Sequence, residues 1–246
     1  YPLRRQRQMC IRDRMKIDRA LIIRRLQVPI SIKYAEMCAN SCEENNLPYE
    51  FIDAVEFLSC DEAFKSVGTF RQKKYINKDG HCNVHASHIK CWKRIIELDK
   101  ACIILEHDAI VKGDITNVDI SDNTITTFGH RVTELDEYTP PSPTIGLVEI
   151  ERSFGVHACG LTPTTAKTLW QDTKDKGIFT GVDNLLMIHK SSGLPLFVCE
   201  PPQVVCWTRV STIEIKINNK DVNKPKGRFA SNTCLLYTSP SPRDVE

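Results

Sequence analysis

Short apolar runs alternate with segments of helical spacing along this chain, and this alternation limits its possible folds more than any other feature. The apolar runs have the length of buried strands rather than of helices. Strands are predicted at residues 20–23, 49–55, 101–105, 124–128, 156–161 and 196–198. Strands that alternate with helices indicate an α/β fold, with a mostly parallel central sheet flanked by helices.

The segments between these runs carry helix signals. The clearest is residues 84–98, where Ile89, Trp92 and Ile95 share one face. Pro29 and Pro163 both stand where a helix can begin. Helices are predicted at residues 30–45, 61–67, 84–98, 162–170 and 183–189, and loops at 70–80 and 134–143.

The two ends of the chain have a different character. Residues 9–13 and 234–238 can be back-translated into DNA stretches that are reverse complements of each other. An inverted repeat at both ends is typical of translated sequencing adapter, so residues 1–14 and 234–246 are excluded from fold reasoning. A natural basic arm and a Pro/Ser tail are the alternative. We expect one domain over 15–217 and a polar tail over 218–233.

Charge and hydropathy exclude several classes of protein. The whole chain has a formal net charge of +2, but residues 15–233 hold 27 basic and 28 acidic residues. The compositional case for a nucleic-acid partner therefore disappears. No apolar run approaches the roughly 18–20 residues of a membrane-spanning helix. The sequence thus predicts a cytoplasmic protein without a transmembrane segment, and is compatible with peripheral association at the inner face of the membrane.

Cysteine is frequent but unpatterned. Nine of the 11 cysteines lie in residues 15–233, and none forms a C-x-x-C pair. Neither a disulfide framework nor a zinc ribbon is indicated, and several cysteines lie in apolar strands as small core residues. This usage favours a reducing compartment.

Two carboxylates follow the apolar strand at residues 101–105. Glu106 and Asp108 are spaced i and i+2 around His107. Ligands of α/β sheets bind at the carboxyl ends of the strands. Carboxylate oxygens suit Mg²⁺ or Mn²⁺, which can bridge to a diphosphate. The alternative is that these charges only mark the exit of the strand into solvent.

Several ordered motifs around these carboxylates resemble glycosyltransferase family 25, which includes lipopolysaccharide glycosyltransferases and relatives of collagen galactosyltransferases. The pair Ser87-His88, Trp92 and the strand ending in an acidic triplet match the family's S-H pair, later Trp and E-D-D motif. Similar segments follow on both sides of it. They are FIDAV at 51–55, GVHACGLTP at 155–163, VDNLL at 182–186 and STI at 211–213.

The resemblance implies a GT-A-like, Rossmann-like fold. It also implies that the protein transfers a sugar, such as galactose, from a nucleotide-sugar donor. A UDP-sugar is the expected donor, and a glycan or lipid-linked glycan in surface-glycan synthesis is the expected acceptor. Transfer would proceed with inversion and with Mn²⁺ or Mg²⁺. Asp108 would be the main metal ligand, and Glu106 a second ligand or a partner of the ribose. The S-H pair, Ser87 and His88, would lie in the nucleotide-sugar site.

The remaining candidate residues each have an alternative role. Asp183 is the candidate general base for the acceptor hydroxyl, or a plain helix cap. Asp53 would line the nucleotide pocket, or only end its strand. Arg24 would contact phosphate, or lie in solvent. His107 would join the site as an imidazole ligand, or face away from its neighbours as strand alternation predicts.

Two rival sites have less support. His81, Cys82, His85 and His88 could share a helix face around Zn²⁺, but no further ligand at a recognisable spacing completes the set. Nothing local marks any cysteine as an activated nucleophile.

The acidic motif departs from the family at one position, where His107 replaces the middle Asp. The glycine-cysteine pair expected before the S-H pair is Asn83-Val84, and the arginine-rich signature after the first strand is reduced to Arg24-Arg25. These departures keep open a catalytically silent domain that binds nucleotide-sugar or glycan, and a generic nucleotide-binding protein.

Overall fold

The computed structural model describes residues 14–75, 77–129, 146–153 and 155–206. The strands are β1 Arg14–Lys16, β2 Arg19–Arg24, β3 Tyr49–Asp53, β4 Cys102–Glu106, β5 Ala109–Val111, β6 Asp119–Ser121, β7 Ile125–Thr127, β8 Gly146–Ile150, β9 Ala158–Leu161, β10 Leu196–Glu200 and β11 Val204–Cys206. The helices are α1 Pro29–Glu44, α2 Cys60–Ser66, α3 Asp79–Leu98, α4 Pro163–Lys176, α5 Val182–Met187 and α6 His189–Ser192.

A seven-stranded sheet in the order β3-β2-β4-β9-β7-β10-β8 forms the centre of the described fold. Strands β3, β2 and β4 pair in parallel, and β7 and β10 pair in parallel. Strands β9 and β8 run opposite to their neighbours. Five of the seven strands therefore point the same way, which confirms the predicted α/β fold with a mostly parallel sheet.

The two faces of the sheet carry separate hydrophobic cores. On one face, Leu21 and Ile104 pack with side chains of α2 to α5, among them the fully buried Trp92. On the other face, Ile22 and Ile103 pack with α1 and with strands β5, β6 and β11. Full burial of each such side chain contributes about 1.5–3 kcal/mol. The alternating side chains of the central strands thus hold both layers together.

Helix ends follow local signals where these exist. Pro29 and Pro163 occupy the first turns of α1 and α4, as predicted, and the Thr162 hydroxyl accepts a hydrogen bond from the Thr165 amide. Helix α3 begins at Asp79, five residues before the predicted start. Gly177 ends α4 with a positive φ of 73°, where the Phe70 ring leaves no room for a side chain.

Two small sheets were not predicted from the sequence. Strand β1 pairs with β6, and β5 pairs with β11, both antiparallel. These strands are only three residues long. A three-residue strand is too short to show alternation.

One disulfide is present, although the cysteine spacing indicated no disulfide framework. Cys60 of α2 is bonded to Cys82 of α3, 22 residues later. The pairing results from the packing of two helices, so no local spacing announces it. The other seven cysteines of the described ranges form no disulfide, and six of them are buried, as expected for small core residues.

Some sequence predictions lie outside the described residues. These are the two adapter-like ends apart from Arg14, the loop at 134–143, the STI motif and the tail at 218–233. Within the described ranges, no helix is both long enough and apolar enough to cross a membrane.

Candidate functional site

The carboxylates of the acidic triplet lie where the central strand β4 ends. Glu106 is the last residue of β4, and His107 and Asp108 form the turn into β5. The Glu106 amide donates a hydrogen bond of 3.0 Å to the His157 carbonyl, immediately before β9. Because β4 is buried and paired on both sides, this edge of the sheet holds the triplet in a defined place.

Histidines surround the Glu106 carboxylate. His88 of α3 is fully buried, and its Nε2 lies 3.5 Å from Glu106 Oε1. Burial raises the pKa of Glu106, but His88, His157 and His107 together lower it by more, so the pKa lies below its usual range. The Glu106 carboxylate is therefore held as an anion that faces the interior of the sheet edge.

Asp108 contacts a different partner. The Cys206 Sγ of β11 donates a hydrogen bond of 3.3 Å to Asp108 Oδ2. Asp108 Oδ1 is buried and has no hydrogen-bond partner within the described residues. Burial and then the charge of Glu106 raise the pKa of Asp108, against smaller opposing effects of His107 and Cys206. Two carboxylates that repel each other, one with an unpartnered buried oxygen, fit a divalent cation.

The His107 ring stacks on Tyr34 of α1. The ring centroids are 6.1 Å apart and the planes differ by 4°. The predicted alternation does not apply, because His107 lies in a turn rather than in the strand. The ring lies against α1, and His107 lowers the pKa of both Glu106 and Asp108.

Arg24 and Asp53 lie side by side at the ends of the parallel strands β2 and β3. The Arg24 Nε donates to Asp53 Oδ1 at 2.9 Å, and the guanidinium lies over the Phe51 ring, 4.4 Å from its centroid. The structure thus brings the two residues together at one end of the sheet. They form an ion pair with each other, and both side chains keep partial exposure.

Ser87 has a structural partner on each side. Its hydroxyl accepts from the Val55 amide at 2.9 Å and donates to the Asn83 carbonyl at 2.7 Å. The neighbouring Asn83 side chain also bonds to the backbone of Leu58 in both directions. Ser87 and Asn83 therefore fix the loop that follows β3 against α3, which is a positioning role next to the carboxyl edge.

Asp183 is exposed in the first turn of α5. Gly181 is the cap of that helix, so the alternative of a plain Asp183 cap does not hold. The segment before α5 contacts α3, since the Thr180 backbone lies beside His85. Burial and then His88 lower the pKa of His85 to about 3, and Thr180 acts in the opposite direction. Asp183 thus lies in a helix whose preceding segment contacts α3 at His85.

The alternative zinc cluster is not assembled. Cys82 is in the disulfide with Cys60, and His85 packs edge-on against Phe64 and Trp92. Within the residues the structure describes, no group of three or more His, Cys, Asp or Glu side chains is arranged to hold a metal ion.

Two residues of the site escaped the sequence reasoning. His157 lies in the GVHACG segment, immediately before β9. Its contact with Glu106 depends on the antiparallel pairing of β9 with β4, which the local sequence does not predict. Cys206 reaches Asp108 only through the pairing of β11 with β5. No local spacing signals either contact.

Glu200 is a further buried carboxyl, at the end of β10. Because β10 runs parallel to β7 with Val198 opposite Thr127, Glu200 lies at the same edge of the sheet as the acidic triplet. Burial raises the pKa of Glu200 from 4.5 to about 7.

This raised pKa predicts a pH-dependent stability. Below pH 4.5 the carboxyl is neutral in both folded and unfolded chains, whereas between pH 4.5 and 7 only the unfolded chain ionises it freely. The free energy of unfolding should therefore fall over this window, by up to about 3 kcal/mol from this group. Urea unfolding of the wild type and Glu200→Gln at pH 5 and pH 8 measures this, and an equal pH dependence in both would contradict it.

Comparison with known proteins finds one matching family model. Residues 30–140 match the family model described as glycosyltransferase family 25 (LPS biosynthesis protein), which confirms the resemblance over under half of the chain. A crystal structure of the apo form of glycosyltransferase GlyE from Streptococcus pneumoniae TIGR4 is 12% identical, with a TM-score of 0.37. The match covers 69% of this chain and 42% of GlyE. No curated protein sequence matches the chain.

Proposed function

We propose, from the glycosyltransferase family 25 domain at residues 30–140, that this protein transfers a hexose from a nucleotide-sugar donor to a carbohydrate acceptor. Galactose from a UDP-sugar is the first donor to test, and a surface glycan or lipopolysaccharide intermediate is the proposed acceptor. The reaction would take place in the cytoplasm or at the inner face of its membrane, with inversion at the transferred sugar.

The observation that carries this proposal is the pair of carboxylates at the end of β4. Glu106 and Asp108 lie at the sheet edge where α/β folds bind ligands. Asp108 Oδ1 is buried without a protein partner in the described ranges, so one carboxylate oxygen is available to a cation. These residues fit Mn²⁺ or Mg²⁺, with Asp108 as the main ligand and Glu106 as a second ligand or ribose partner.

A bound cation would neutralise the negative charge that develops on the leaving diphosphate. The side chains supply the other requirements. Asp108 would hold the cation through a carboxylate oxygen, and His88 lowers the pKa of Glu106 and so favours its anionic form. Asp183 would accept the proton of the acceptor hydroxyl as the sugar is transferred.

Three polar groups are proposed for the nucleotide side of the site. Asp53 and Arg24 form one half-exposed pair at the ends of β2 and β3, where a ribose or a phosphate could exchange for one partner. His107, stacked on Tyr34, offers a polar ring beside the carboxylates. Ser87 contributes by fixing the loop after β3.

A catalytically silent domain that binds nucleotide-sugar or glycan is the second candidate function. It is favoured by the acidic triplet itself, in which His107 stands between the two carboxylates and stacks away on Tyr34. Such a domain would bind the donor without releasing its diphosphate.

Release of the leaving nucleotide (UDP, GDP or CMP) from UDP-, GDP- and CMP-sugars, with and without Mn²⁺ and a glycan pool, separates these functions. Mn²⁺-dependent release from one donor is the expected result. Donor binding without release under all conditions would instead establish the silent domain. A protein that shows neither donor binding nor nucleotide release would contradict both functions.

His88 offers a prediction within this function. His88→Ala should lower the metal-dependent turnover by about 10–100-fold, the usual effect of losing a residue that orients a metal ligand. His88→Gln keeps an N–H group near Glu106 and should restore most of the turnover. Steady-state kinetics measures both.

The matched control is His85→Ala, since His85 is equally buried on the same helix but contacts aromatic rings instead of Glu106. Equal losses of turnover in His88→Ala and His85→Ala, in step with their unfolding free energies, would show that His88 only supports the fold.

A further inference from the structure

The environment of Cys206, which contacts Asp108, differs from that of the six other cysteines outside the disulfide in the described ranges. Those six are buried, whereas Cys206 is partly exposed. Antiparallel pairing of β11 with β5 sets Cys206 opposite Ala109, the residue that follows Asp108. This register holds the Cys206 Sγ 3.3 Å from Asp108 Oδ2.

That separation suits two ligands of one cation. Metal–sulfur and metal–oxygen bonds of about 2.3 and 2.1 Å place the two ligand atoms about 3.1–3.6 Å apart, for bond angles between octahedral and tetrahedral. The observed 3.3 Å lies within this interval. A cation could therefore take the place of the thiol proton without a change in the backbone.

The other atoms of the pair leave room for such an ion. Asp108 Oδ1 is buried and has no hydrogen-bond partner in the described ranges. The nearby Glu106 adds a second negative charge. Two protein ligands do not complete a coordination shell, so water or a diphosphate would supply the remaining ligands.

We propose that Cys206 and Asp108 together form a divalent-cation site that prefers thiophilic ions such as Cd²⁺, Zn²⁺ or Co²⁺ over Mn²⁺ and Mg²⁺. Sulfur ligands favour the first group of ions, whereas sites built only from carboxylates favour the second. On binding, a metal–sulfur bond forms, the S–H bond breaks, and the proton passes to solvent. This inference rests on the cation site of the proposed function and changes its expected ion preference.

The test is a titration of the full chain with Cd²⁺ or Co²⁺ in the absence of sugar nucleotide. Binding is measured by the thiolate-to-metal charge-transfer absorption band. We expect the band attributable to this site in the wild type and its loss in Cys206→Ser. Cys206→Ser should weaken Cd²⁺ binding at least about 10-fold and Mn²⁺ binding far less. Circular dichroism checks that the variant is folded.

A second measurement needs no variant. The wild-type chain is alkylated with and without saturating Cd²⁺, and the modified cysteines are located by peptide mass analysis. Protection of Cys206 is the expected result. Alkylation of Cys206 at the same rate with Cd²⁺ bound, or an unchanged absorption band in Cys206→Ser, would overturn the proposal.

Both measurements use the metal alone, so their outcome does not depend on sugar transfer. A thiophilic site in a chain that releases no diphosphate from any donor would refute the proposed function and leave this inference standing. Diphosphate release with Mn²⁺ in a chain whose Cys206 binds no metal would support the proposed function and overturn this inference.

Discussion

Asp108→Asn should lower metal-dependent release of nucleoside diphosphate by about 10²–10³-fold, the range for removing one contact to charge that develops in a reaction. The amide retains the shape of the carboxyl but lacks its negative charge, and Asp108 Oδ1 is a buried oxygen without a hydrogen-bond partner in the described ranges. Turnover across a Mn²⁺ series measures the effect. The apparent Mn²⁺ affinity should fall together with kcat.

A suitable control is Asp119→Asn, which changes an exposed carboxyl in the small β1–β6 sheet by the same chemistry. Its turnover should equal that of the wild type. If Asp108→Asn keeps the wild-type Mn²⁺ dependence while unfolding as the wild type does, Asp108 is not a metal ligand.

Asp183→Asn should reduce kcat by about 10²–10⁴-fold, the contribution usual for a general base. Asp183 is exposed in the first turn of α5, so its substitution opens no cavity in the core and should change stability little. The KM for the donor should stay near its wild-type value, because the proposed role concerns the acceptor proton. Steady-state kinetics at saturating Mn²⁺ checks both quantities.

The distinguishing readout for Asp183 is the pH profile. Loss of a general base removes the fall in rate at acidic pH, whereas a merely structural change scales the whole profile. Asp172→Asn, another exposed carboxyl on the neighbouring helix α4, serves as the control. A kcat within about threefold of wild type in Asp183→Asn would move the role of base to another residue.

The order of strands and helices was predictable because the long elements carry a clear period. Residues 84–98 show one apolar helical face, and 101–105 form an unbroken apolar run. The start of α3 was missed because its first turn contains Asp79, Gly80 and Asn83, which give no apolar signal. Strands β5 and β11 are held by pairing across the chain rather than by their own sequence.

The carboxylates of the candidate site were predictable from the sequence, but their partners were not. Glu106 and Asp108 follow directly from a strand that ends in charge. The partner of each could not be inferred, because His88, His157 and Cys206 come from distant segments brought together by the sheet. The ion pair of Arg24 with Asp53 likewise depends on which strands are neighbours. Local pattern indicates residue types at an edge, whereas their partners depend on strand order.

The burial of strand β4 has a consequence for the natural variation of this protein. Its side chains alternate between two cores, with Cys102 and Ile104 in one and Ile103 and Leu105 in the other. Deleting or inserting one residue here would exchange the two faces and also move Glu106 and Asp108 along the sheet edge. The segment therefore tolerates exchange of one apolar side chain for another of similar volume, but not a change of length, and lineages that diverge from this sequence should place their insertions and deletions elsewhere.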